Sequence, residues 1–210
     1  MKTEKTERGM EERILEAAKA VFIAKGFDGA SMGGIAAEAG ITRTSLNYYF
    51  RSKEKLFLAI YTEIARGFLP KVEDVALENR PVFERVEKVV DIYTEMLSEN
   101  SGLLMFLANE SYKNPGRYFD ILRSNPEFTA SGKRIGDEIK REMSKGKLRK
   151  MPLEYFVTTF FGLLFFPFLG KNIIAGIFFK ADEARFAKFI SERKKFIVES
   201  MKSIFNPRKK

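Results

Sequence analysis

The chain has no cysteine, no histidine and no tryptophan in its 210 residues. Without cysteine or histidine there is no disulfide framework, no thiol nucleophile, no Ser-His-Asp triad and no zinc site of the Cys/His type. The lack of cysteine does not by itself fix a compartment. Long apolar runs are scarce too: only Tyr155 to Phe179 is long enough to cross a bilayer, and Lys171-Asn172 interrupts it while Pro167 breaks its helical hydrogen bonding. No second such run accompanies it, so a buried helix is expected there and no membrane contact. The N-terminal MKTEKTERGMEER is charged and has no apolar signal core, so a cytoplasmic location is the expectation. Runs of β-branched residues are also few, which leaves a sheet no place to form.

A hydrophobic content of 45% is enough for a real core, and the length suits one large domain or a small one joined to a larger. Lysine and arginine number 37 against 28 acidic residues, for a net charge of +9. A basic balance suits a nucleic-acid binder, yet most of the excess lies late in the chain. Residues 1–66 hold 11 basic and 9 acidic residues, whereas residues 67–210 hold 26 and 19. The region Lys133 to Lys150 and the tail Arg208-Lys209-Lys210 are expected as solvated surface, with contact to DNA or an anionic ligand as the alternative for the first.

The most informative segment is Ser31 to Phe50, SMGGIAAEAGITRTSLNYYF. Ser31 can cap a short helix in which Ile35, Ala36 and Ala39 form an apolar stripe, and Gly40 can close it by taking a left-handed conformation. Thr42 then caps a second helix with Ile41 and Leu46 inward and Arg43, Thr44, Ser45 and Asn47 outward. That is the pattern of a helix-turn-helix reader of double-stranded DNA. Arginine reads guanine edges, asparagine reads adenine, and hydroxyls reach bases or phosphates. Of Tyr48-Tyr49-Phe50, Phe50 is expected as a wedge between helices and a tyrosine hydroxyl as a phosphate ligand. Ser52 and Lys53 open a further helix, with Lys53 expected at phosphate; Arg43, Arg51, Lys53 and Lys55 outweigh Glu54 there.

Together with the preceding ILEAAKAVFIAKGFDGASM and the following YYFRSKEKLF, this segment resembles the DNA-binding domain of the TetR family of transcriptional regulators, over roughly residues 10 to 60. Two positions depart from the family pattern: Thr44 stands where a glycine is usual, and Asn47 where a tyrosine is common. The resemblance implies an all-α protein with an N-terminal three-helix helix-turn-helix DNA-binding domain and a larger helical ligand-binding and dimerisation domain. It also implies a homodimer joined through two late helices of each subunit, here Leu153 to Phe166 and Ala181 to Ile204. The expected divisions are a charged tail at 1–9, the DNA-binding domain at 10–55 and an effector-binding and dimerisation domain at 56–210. DNA contacts are expected from Ser31, Thr42, Arg43, Thr44, Ser45, Asn47, Tyr48, Tyr49 and Lys53.

The rest of the chain is helical in pattern. A long helix is expected from Lys53 to about Val75, and Pro81 opens another with Val82, Val86, Val89, Val90, Tyr93 and Leu97 on one face. Further helices are expected over Gly102 to Tyr112, Arg117 to Arg123 and Phe128 to Ser144, the last ended by Gly146. The late helix carries Phe186, Phe189, Ile190, Phe196, Ile197 and Met201 at helical spacings. Phenylalanine, at 21 residues, can fill a core and a dimer interface, or line a cavity for a small hydrophobic or aromatic effector. Met105, Phe106, Asn109, Tyr112, Phe119, Phe161 and Phe165 are the candidate effector contacts. The rival class, an all-helical carrier or enzyme, would draw on carboxylates such as Glu110, Asp137, Glu138 and Glu142, but none of these lies in a glycine-rich or metal-ligand setting. The sequence therefore points to a ligand-responsive regulator, a repressor by preference, bound to a palindromic operator and released by its effector, with no catalytic role and no cofactor or metal.

Overall fold

The computed structural model describes residues 2–207, except for the side chains of residues 2–8, 101, 118, 121 and 122. Met1 and the basic tail Arg208-Lys209-Lys210 lie outside the described residues. The fold is all-α. Its helices are α1 (Lys2–Gly29), α2 (Met32–Glu38), α3 (Arg43–Tyr49), α4 (Lys53–Leu77), α5 (Val82–Glu99), α6 (Ser101–Lys113), α7 (Pro115–Ser124), α8 (Pro126–Ser144), α9 (Leu153–Leu169), α10 (Lys171–Phe179) and α11 (Glu183–Phe205). They form two compact units. One comprises the chain up to Arg66 together with Gly102–Asn125, and the other comprises Gly67–Ser101 and Pro126–Lys210.

In the first unit α1 breaks at Gly26, whose φ of 68° and ψ of 174° turn the chain so that Phe27 points inward, 2% exposed. Phe22, Phe27, Phe57 and Phe106 form one aromatic knot. Phe22 stacks on Phe27 at 5.6 Å and on Phe106 at 5.5 Å, and Phe57 meets all three edge-on. Each such ring buries about 150–250 Å². Because Phe106 and Leu103 belong to α6, the core of this unit is completed by residues far from it in sequence.

The second unit contains the last turns of α4 with α5, α8, α9, α10 and α11. Of the expected stripe on α5, Val86, Val90, Tyr93 and Leu97 are buried and Val82 and Val89 are half-buried. It packs on α11 and on α9, where Tyr93 meets the Phe160 ring at 6.1 Å; Ile190, Ile197, Met201 and Phe205 of α11 and Phe156 and Leu164 of α9 are buried in the same unit. The segment Tyr155 to Phe179 is two helices, bent by 70° around Gly170. Among the described residues no single helix is long and apolar enough to cross a membrane.

A polar seam joins α4 to α8 within this unit. Glu73 accepts from Arg134 Nη2 at 2.8 Å, and also from Arg134 Nε and the Ser131 hydroxyl. Arg134 and then Ser131 hold the Glu73 carboxyl down at about 2, against 4.5 for an ordinary glutamate. A carboxylate whose folded-state pKa is depressed stabilises the fold above its unfolded value and loses that contribution as pH falls through the folded one. Glu73→Gln is therefore expected to be less stable than the wild type at neutral pH, and the gap to close between pH 4.5 and about 2. Urea titrations across that range check this, and a gap that persists unchanged at the acid end would contradict it.

Candidate nucleic-acid interface

Helix α3 is only seven residues long, far too short to be stable alone, so its position depends on what flanks it. At the start of α2 the Ser31 hydroxyl accepts from Gly34 N at 3.1 Å. At its end Gly40, with φ of 63°, lets Gly40 N donate to the Ala37 carbonyl and Ile41 N to that of Ala36, the paired closure of a Schellman motif. Arg13 of α1 adds a clamp, its Nε donating to the Ala39 carbonyl at 2.9 Å and Nη2 to the Gly40 carbonyl at 3.3 Å. Thr42 caps α3 by accepting from Ser45 N at 3.1 Å and donating to the Ser45 hydroxyl. Leu46, fully buried, anchors the inner face, and Phe50 is buried at its end. Burying such a leucine stabilises by about 1.5–3 kcal/mol.

The outer face of α3 presents Arg43, Thr44, Ser45, Asn47 and Tyr48, all exposed, with Tyr48 at 77%. Tyr49 is half-buried and meets Tyr48 edge-on at 5.3 Å. Of the nine expected DNA contacts, Ser31, Thr42, Arg43, Thr44, Ser45, Asn47 and Tyr48 are exposed, the hydroxyls of Ser31, Thr42 and Ser45 also taking part in the two caps.

Lys53 occupies a different place from the one its charge suggested. Its ammonium donates to the carbonyls of Phe27 at 2.7 Å and Ala30 at 2.9 Å and stands 4.6 Å from the Phe27 ring centroid. The chain between α1 and α2 is thus tied to the start of α4, and two of the three ammonium donors are used in doing so. The first turn of α4 is also self-satisfied: the Ser52 hydroxyl accepts from Lys55 N, and hydrogen bonds from its own backbone N–H and from Ser52 hold the Glu54 carboxyl below the usual range. The exposed cations beside α3 are then Arg51 and Lys55.

Phe27 is also met by residues of α6 and α7. The Arg117 guanidinium lies 3.7 Å from the ring centroid and its Nη1 donates to Glu110 Oε2 at 2.7 Å. Glu110, 3% exposed, accepts from Phe27 N through Oε1. Both cations stand over the Phe27 ring, each an attraction of about 0.5–2 kcal/mol. Sequence reasoning missed Arg13, Glu110 and Arg117 as positioning residues; each acts across more than 25 residues or from another helix, where no local pattern marks it.

The candidate effector residues do not come together. Phe106 lies in the aromatic knot of the first unit, because α6 spends its apolar face there, and Met105, Asn109, Tyr112 and Phe119 are exposed on that unit. In the second unit there is a cavity of about 270 Å³, walled by α4, α5, α8 and α9 through residues such as Val72, Val86, Ile135, Ile139, Phe156 and Phe161. Phe161 is the candidate that lines it; Phe165 packs against Phe161 and Tyr93 behind the wall. In the basic region, Arg134, Arg141, Lys145 and Lys147 form ion pairs with Glu73, Glu127, Glu138 and Glu142.

The family model for bacterial regulatory proteins of the TetR family matches residues 14–60, the span from α1 into α4. The HTH-type transcriptional regulator YdgC of Bacillus subtilis is 32% identical over 122 residues, 55% of this chain and 63% of YdgC, so the chain spans under two thirds of that relative. A second Bacillus subtilis regulator of the HTH type, YttP, is 25% identical over 90% of this chain and 92% of its own length. Among solved structures, a candidate fatty acid metabolism regulator of Clostridium perfringens superposes with a TM-score of 0.72 at 22% identity, over 89% of this chain and 97% of its own.

Lys53→Ala would leave the Phe27 and Ala30 carbonyls unpaired and is expected to lower the unfolding free energy by about 1–3 kcal/mol, whereas Arg51→Ala should stay within about 0.5 kcal/mol of the wild type. Urea unfolding of both variants checks this, and equal stabilities would contradict an internal role for Lys53.

Proposed function

Taking as premise that the chain belongs to the TetR family of transcriptional regulators, we propose that it is a homodimeric repressor released from its operator by a small apolar effector. The observation that carries the proposal is the outward face of α3, where Arg43, Thr44, Asn47 and Tyr48 stand exposed on a helix whose caps and buried leucine fix its position. Such a face suits the major groove. Two copies related by a two-fold axis would place their α3 helices about 34–36 Å apart, one turn of duplex, and the operator would be roughly palindromic.

A second copy is supported by the late helices. Tyr155 and Phe166 of α9, Ile173, Ile177 and Phe178 of α10, and Phe196 of α11 are all more than half exposed. So many large apolar side chains left uncovered within one chain call for a partner surface. The cavity lined by Val72, Val86 and Phe161 supplies the effector site. Helix α4 both begins beside Phe27, through Lys53, and contributes Val72 and Ala76 to the cavity wall. An effector shifts the protein only by preferring one arrangement, so release requires that the ligand-preferred arrangement fit DNA poorly. Such a protein works in the cytoplasm, where the DNA is, and needs no catalytic step. Of the four carboxylates an enzyme could use, Glu110, Glu138 and Glu142 are each paired with an arginine and Asp137 is exposed.

Gel shifts on genomic fragments test the proposal. Asn47→Ala is expected to relax preference at one base position, costing about 1–3 kcal/mol of discrimination, while Arg51→Ala should weaken all duplexes alike and reduce the salt slope by about 1. Equal effects of the two variants on specific and random DNA would contradict this division of roles. An apolar effector should raise the melting temperature and weaken operator binding together; a ligand that raised the first with no change in the second would contradict release.

A further inference from the structure

Three charged side chains line the otherwise apolar cavity: Arg85 of α5, 5% exposed, and Glu138 and Glu142 of α8, at 8% and 3%. Arg85 Nη1 donates to the Ala76 carbonyl at 2.6 Å and to Glu138 Oε1 at 3.0 Å, and Nη2 stands 3.5 Å from Glu142 Oε2. The arrangement is incomplete. Arg85 Nε, a donor, and Glu142 Oε2, an acceptor, are both buried without a hydrogen-bond partner, although they belong to the same ion pair. Buried polar groups left unpaired are rare because each one costs stability, and both of these belong to residues that line the cavity.

The complement of one orphan donor and one orphan acceptor is a group that both donates and accepts. A hydroxyl or a primary amide does both, a carboxylate only accepts, and an ammonium only donates. Burial works against ionisation of Glu138, but the hydrogen bond from Arg85 and the charges of Arg141, Arg85 and Lys145 outweigh it and hold the carboxyl below the usual range. Arg141, Lys145 and Lys147 complete the pairing of Glu138 and Glu142 from the outer side. An anionic head could give Glu142 no hydrogen; an ammonium would leave Arg85 Nε unpaired.

We infer that the effector is a neutral amphiphile whose apolar body fills the cavity and whose hydroxyl or amide end donates to Glu142 Oε2 and accepts from Arg85 Nε. The inference rests on the cavity being the effector site. The test is calorimetric titration of the full chain with octanol, octylamine and octanoate, which share one apolar body and differ in the polar end. Octanol is expected to bind about tenfold tighter than either ion. Glu142→Gln, which removes one buried negative charge, should bring octanoate to within about threefold of octanol. Val157→Phe, which fills the cavity from α9, should abolish octanol binding. Octanoate or octylamine matching octanol on the wild type, or an unchanged ranking on Glu142→Gln, would overturn the neutral head while leaving the cavity as the effector site. Failure of all three compounds to bind, or octanol binding undiminished by Val157→Phe, would overturn both.

Discussion

A seven-residue helix cannot hold itself in water, and the first unit is organised around that constraint. Helix α3 carries the side chains suited to DNA, yet its own hydrogen bonds are too few to offset the cost of nucleating it. Its position is imposed from both ends and from beneath: by the Thr42 cap, by the Gly40 closure of α2 with Arg13 clamped over it, and by Leu46 in the core. The core in turn depends on Phe27, which the break at Gly26 turns inward. Lys53, Arg117 and Glu110 then hold that ring and its backbone. Each of these contacts is modest. Together they let a short helix present a fixed row of side chains.

The second unit follows a different rule. Its interior is built from long helices with ample apolar faces, and its polar groups are concentrated where α4, α5 and α8 meet. Glu73 with Arg134, and Arg85 with Ala76, Glu138 and Glu142, tie those helices together beside the cavity. The buried pairs of Arg85 with Glu138 and Glu142 add little net stability, since desolvation consumes most of the attraction, whereas removing one partner would leave the other charge buried and uncompensated.

Local signals were legible in the sequence and non-local ones were not. Ser31, Gly40, Thr42, Pro81 and Gly146 each act within a few residues, and each stands where its side chain or conformational freedom marks a helix end. The stripe Val86, Val90, Tyr93 and Leu97 showed its period and is buried. Lys53 looked like a phosphate ligand because charge at a helix start reads that way, whereas its ammonium is committed to carbonyls 23 and 26 residues back. The packing of Phe106 against Phe22 joins residues 84 positions apart, and nothing in α6 itself distinguishes a residue that closes this core from one that lines a cavity. The polar seam around Arg85 has the same character: an arginine in α5 and glutamates 53 and 57 positions later carry no local mark that the fold buries them together.

Selection of bound sequences from a random pool of duplex DNA, using the full chain, tests the central claim most directly. The expected result is enrichment of a pseudo-palindrome whose half-site centres lie about one helical turn, 10–10.5 base pairs, or a multiple of it apart. A pool that stays random after repeated rounds, while the protein remains folded, would contradict a DNA-reading role for α3.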